Sequence, residues 1–71
     1  MLVEQEQDLR KLGEHWRMTI HQYKNGWEVM LSIFVQDGPV LYSGVHNNPK
    51  RAFKDAFKQA KEYEENLKKS S

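Results

Sequence analysis

The alternation from Trp27 to Val35, WEVMLSIFV, restricts this chain's choice of fold more than any other stretch. Trp27, Val29, Leu31, Ile33 and Val35 are all large and apolar, the period-two signature of a strand that buries one face. The intervening Glu28, Met30, Ser32, Phe34 and Gln36 are only partly polar. A strand with apolar residues on both faces belongs in the middle of a sheet, at least partly covered on either side. Asn25-Gly26 separates this run from a second extended stretch, His15 to Lys24. A two-residue type I′ hairpin turn needs positive φ at both positions, which Asn and Gly tolerate best. Such a turn sets Lys24 opposite Trp27 and, on the same face, Gln22 opposite Val29, Ile20 opposite Leu31, Met18 opposite Ile33 and Trp16 opposite Val35. The other face receives Tyr23/Glu28, His21/Met30, Thr19/Ser32 and Arg17/Phe34.

Asp37-Gly38-Pro39 predicts a second turn, leading into Val40 to Val45. A two-residue loop points Val40 and Tyr42 inward; a three-residue loop points Leu41 and Val45 inward and is favoured because that pair is more apolar. Pro39 cannot donate to a ladder, which suits the start of an edge strand. Before the hairpin, Leu2 to Leu12 holds good helix formers, with Leu2, Val3, Leu9 and Leu12 as a narrow apolar stripe and Gly13 as the expected C′ residue. After the third strand, Asn48-Pro49 reads as the N-cap and first residue of a helix. On a helical wheel Ala52, Phe53, Ala56, Phe57, Ala60, Tyr63 and Leu67 share one arc of about 140°. The expected fold is α+β, an α-β-β-β-α chain whose three-stranded antiparallel meander carries the C-terminal helix on one face. Its boundaries are an N-terminal helix over 1–13, the meander over 15–45, the second helix over 49–68 and a disordered tail over 69–71.

With 71 residues the chain holds one small domain, of a size that dimerisation often supplements. It has no cysteine, which excludes disulfides and thiolate zinc sites. No apolar run approaches the ~20 residues that span a bilayer, and Met1–Arg10 lacks the order of a signal peptide. A soluble, cytoplasmic protein without membrane contact is expected. The net charge of +1 is unevenly spread. Residues 1–14 sum to −2 (four acids, two bases), 15–49 to zero, and 50–71 to +3 (seven bases, four acids).

The basic excess is densest at the start of the last helix, with Lys50, Arg51 and Lys54. Cations are unfavourable at a helix N-terminus unless an anion is near, and free amides there can help to grip one. Lys50, Lys54, Lys61 and Lys68 fall along one flank of the apolar arc; Asp55, Gln59, Glu62 and Asn66 fall along the other. The plain alternative is a solvated face whose lysine stems cover apolar edges. The order α-β-β-β-α, with Gly44, then Asn48-Pro49-Lys50-Arg51-Ala52, then Ala56 and Ala60, resembles the double-stranded-RNA-binding domain. In that family a third strand ending in Gly leads to a Ser-Lys-Lys-x-Ala type of helix start. The resemblance implies that Lys50 and Lys54, with Arg51 beside them, bridge phosphates. Pro49 stands where that family has a lysine, and Asn25-Gly26 replaces its longer first hairpin loop. Residues 16–64 also resemble the three-stranded DNA-binding modules of plant ethylene-response factors and of tyrosine-recombinase arm-binding domains. A strand–helix antitoxin module has similar alanine spacing.

The remaining candidate surface is the outer sheet face, expected to carry Arg17, His21, Tyr23, Met30, Phe34 and Tyr42. Aromatics among Arg and His can stack unpaired bases. The alternative is that Met30, Phe34 and Tyr42 are covered, by the N-terminal helix or by a second copy. No catalytic residue is expected, because no carboxylate is placed to orient His21. His15, His21 and His46 have no metal-pair spacing, and no cofactor is expected. Two functions follow: a non-catalytic nucleic-acid-binding protein using Lys50, Arg51, Lys54, Arg17, His21 and Tyr23, or a protein-interaction module using Met30, Phe34 and Tyr42 or the third strand's edge. A homodimer, an adaptor and an inhibitor are forms of the second.

Overall fold

The structure, a computed structural model, describes residues 2–70. Helix α1 (Val3–Leu12) is followed by strands β1 (Arg17–Tyr23), β2 (Gly26–Val35) and β3 (Gly38–His46), and helix α2 (Pro49–Ser70) closes the chain. The strands form one antiparallel sheet in the order β1-β2-β3, so β2 is central as its two apolar faces require. The sequence-based fold, α-β-β-β-α, is the fold observed. Residues 69 and 70, expected in a disordered tail, belong to α2; Ser71 lies outside the described residues.

Asn48 opens α2 as the cap chemistry predicts, its Oδ1 accepting the N–H of Lys50 at 2.9 Å, with Pro49 at the first helical position. Ala52, Ala56 and Ala60 are fully buried, and Phe53 and Phe57 stack at 5.2 Å beneath the helix. Leu67, at the end of the same arc, is exposed. Gly44 sets how close α2 comes: a Cβ there would run into the carbonyl oxygen of Ala52 and lie 2.8 Å from Asp55 Cβ. Only glycine admits this approach. α1 packs beside α2 on the same side of the sheet, burying Leu2 and Leu9 in a core with Trp16, Val29 and Leu31. Val3, read as part of its apolar stripe, is exposed. Gly13 is extended, with φ 179°, and is not the left-handed C′ residue expected there.

Both hairpins differ from the sequence reading in register. β1 pairs with β2 as Met18↔Leu31, Ile20↔Val29 and Tyr23↔Gly26, so the loop is Lys24-Asn25 and not Asn25-Gly26. The expected pairs Ile20/Leu31 and Met18/Ile33 are each two residues out. A slip of two leaves every side chain on its own face, so the alternation is equally satisfied by both registers. Gly26 is needed elsewhere: a Cβ on it would sit 2.9 Å from the carbonyl oxygen of His46, where the chain leaves β3. No described non-glycine residue has positive φ, so the turn is not type I′.

β3 pairs as Ile33↔Val40, Leu31↔Tyr42 and Val29↔Gly44, closing on a two-residue loop, Gln36-Asp37. Val40 and Tyr42 therefore point to the helices, while Leu41 and Val45 point away, the reverse of the favoured reading. Gly44 decides this parity, since it must lie under α2. Tyr42 then joins Trp16 and Tyr63 in a triangle of rings with centroids 6.1–6.3 Å apart. Trp16 is fully buried, and its Nε1 donates to Glu64 Oε1 at 2.9 Å.

Candidate interaction surfaces

Lys50, Arg51 and Lys54 are exposed on the first turns of α2 and make no ion pair among the described residues. The amides that would help them hold an anion are mostly occupied. Asn48 Oδ1 accepts from Lys50, the backbone oxygen of Asn48 accepts from Ala52, and Pro49 has no N–H. On the far flank, Asp55 Oδ2 pairs with His46 Nε2, and Gln59 Nε2 donates to Ser43 O at 3.0 Å. These contacts tie α2 to the end and edge of β3. The sequence placed Asp55 and Gln59 on one flank of the helix, but their partners become visible only once Gly44 fixes how the helix lies.

Arg17, His21 and Tyr23 do lie on the outer face of β1, exposed. The rings of His21 and Tyr23 are 6.5 Å apart. Tyr23 OH donates to Glu28 Oε1 at 2.8 Å, and this bond with the nearby carboxylate raises the tyrosine pKa. Glu28 also faces His21 across the ladder, so an acid sits within the basic set. Arg17 is at the other end of β1, opposite Ser32 rather than Phe34. It lines an open groove with His15, Ser32, Ile33 and Phe34. The structure thus divides the six residues read as nucleic-acid contacts. Three lie on the helix layer and three on the opposite face of the sheet, at its two ends.

The rest of the outer face mixes the polar Thr19, Ser32 and Ser43 with large apolar side chains left in water. Phe34 is 84% exposed, Val45 60% and Leu41 56%, with Met30 half-buried between β1 and β3. Phe34 and Met30 are where the alternation placed them. Tyr42 is not, because it belongs to the buried aromatic triangle. Leu41 and Val45 take its place, and Gly44 was the sequence signal that could have found them. α1 does not cover this face. Among the described residues no cluster of His, Asp or Glu is placed to hold a metal ion, and no helix is long and apolar enough to cross a membrane.

No protein-family model, no curated protein and no solved structure matches this chain.

Proposed function

We propose that this chain is a protein-interaction module that docks a partner on the outer face of its sheet. The observation that carries this reading is the exposure of Phe34, Leu41 and Val45 on one face, with Met30 between them. Three large apolar side chains left in water on one face of so small a domain, interleaved with Ser32 and Ser43, support docking there. The partner's surface is apolar at the Phe34–Leu41 end and tolerates the Glu28–Tyr23–His21 group at the other. The exposed side of α1 carries Glu4, Glu6 and Asp8, which also speaks against a polyanion as the main ligand.

The opening of α2 supports a second reading, the binding of duplex RNA or DNA. Its first turn contains no acid, and its three cations are exposed and unpaired among the described residues. One affinity-capture experiment separates the two. The tagged chain is used as bait in cell extract, alongside Phe34→Glu and the triple change of Lys50, Arg51 and Lys54 to Gln. A stoichiometric protein recovered by the parent and by the triple variant, but lost with Phe34→Glu, is the expected result. Loss with the triple variant and on nuclease treatment, with Phe34→Glu indifferent, would replace it by the nucleic-acid reading. In that case the salt dependence of duplex binding should also flatten, by about 0.9 in the log–log slope for each B-DNA phosphate that the variant no longer neutralises.

A further inference from the structure

The two edges of the sheet are guarded very differently. The pairs Tyr23↔Gly26 and Val35↔Gly38 each close a two-residue loop, so they must be hydrogen-bonded pairs. It follows that Pro39, Leu41, Ser43 and Val45 turn their backbone groups to the free edge of β3, and Met18, Ile20 and Gln22 turn theirs to the free edge of β1. The β3 edge is blunted. Pro39 has no N–H to offer, Ser43 O is taken by Gln59, and α2 lies close above at Gly44. The β1 edge has none of these devices. Residues 17–23 contain no proline, no lysine and no bulge, and no hydrogen bond among the described residues reaches the outward groups of Met18, Ile20 or Gln22.

We infer that the free edge of β1 is the seam of a homodimer, pairing antiparallel with β1 of a second copy about a two-fold axis at Ile20. This register matches Met18 with Gln22, Ile20 with Ile20 and Gln22 with Met18, so every outward N–H and C=O of those residues finds a partner in the other copy. It also suits the side chains. On the outer face Arg17 stands across from Tyr23 of the second copy, a cation beside an aromatic ring, and Thr19 stands across from His21. Moving the axis one residue either way sets Arg17 against His21, or His21 against itself, and leaves the edge groups of Gln22 or Met18 outside the seam. On the helix side the half-buried Met18 and Ile20 gain cover at the seam. The occupant is a second copy because the strand complements itself in full in one register only. The inference is independent of the docking role of the outer face. In the dimer the two outer faces join edge to edge as one six-stranded surface and stay open. A seam confined to one short strand is narrow, so the association expected is in the micromolar range.

Sedimentation equilibrium of the full chain over a wide concentration range tests this, with Gln22→Pro as the variant. Gln22 is exposed and its N–H faces the free edge, so proline leaves the β1–β2 ladder intact while removing one seam donor from each copy. The expected result is a reversible dimer whose dissociation constant rises about thirty-fold in Gln22→Pro, with no change in Phe34→Glu. A monomer at every concentration, or a dimer sensitive to Phe34→Glu and indifferent to Gln22→Pro, overturns the seam. Amide exchange of the unmodified chain gives a test that does not depend on the variant folding. Met18, Ile20 and Gln22 should become more protected as concentration rises while Leu41, Ser43 and Val45 do not; the reverse pattern overturns the inference.

Discussion

The two faces of the sheet are built from the same strands and have opposite fates. On β2, Val29 and Leu31 are fully buried beneath the helices, while Met30 is half-buried and Phe34 stands in solvent. On β3, Gly44 is pressed against the backbone of α2, while its neighbours Ser43 and Val45 point away from it. The described residues of this 71-residue chain form two helices, and both lie on one face. The difference teaches that apolar character alone does not choose the core side here. The choice is made by the residue that lets a helix come close, and the apolar residues of the other parity are left facing water.

The largest effect should come from closing that approach. Gly44→Val forces a branched side chain into the backbone of Ala52, and because backbone cannot move aside the cost should reach or pass the top of the usual overpacking range of about 1–3 kcal/mol. Ser43→Val, one residue away on the open face, should stay within about 0.5 kcal/mol of the parent. Urea unfolding measures both, and similar losses at the two positions would break the distinction between the faces. A comparable contrast lies in two leucines. Leu31→Ala empties a fully buried site and should cost about 2–5 kcal/mol. Leu41→Ala on the outer face should change stability by less than about 0.5 kcal/mol. If Leu41→Ala proved as damaging as Leu31→Ala, the outer face would be part of a packed core, and its docking role would fall.

The same contrast explains what was legible in the sequence. Element order was written locally, in Asn48-Pro49, in the alternation of β2 and in the alanine spacing of α2, and all of these stand in the structure. Face was legible for β1 and β2 because alternation fixes parity. Register was not, because parity is unchanged by a slip of two residues. Asn25-Gly26 pointed to the wrong turn because a glycine serves close approach as well as positive φ, and Gly26 serves the former against His46. For β3, apolar character favours Leu41 and Val45 over Val40 and Tyr42, but Gly44 shares the parity of the second pair and settles the face. Of the candidate site, Met30 and Phe34 were placed correctly from the alternation. Tyr42 was lost with the β3 register, and the links from Asp55 and Gln59 to β3 needed the tertiary arrangement to be seen.

The smallest effect concerns the polar end of the open face and tests whether that end is as wet as the apolar end is bare. Tyr23 donates to Glu28 Oε1, and ionising the phenol both breaks that bond and sets a second negative charge beside the carboxylate. The tyrosine pKa is therefore raised in the folded chain. The folded state holds this proton more tightly than the unfolded state does. The stabilisation is thus complete below the unfolded tyrosine pKa and disappears as pH rises through the folded one. Titration of the tyrosinate absorbance should show a late transition that is missing in Tyr23→Phe and falls to lower pH in Glu28→Gln. Because the pair faces water, added salt should shrink the charge part of the shift. A Tyr23 that titrates no later than a free tyrosine, or ignores Glu28→Gln, would show that the ring and the carboxylate are not held together in solution. The outer face would then lack the ordered polar end that the proposed docking of a partner relies on beside Phe34 and Leu41.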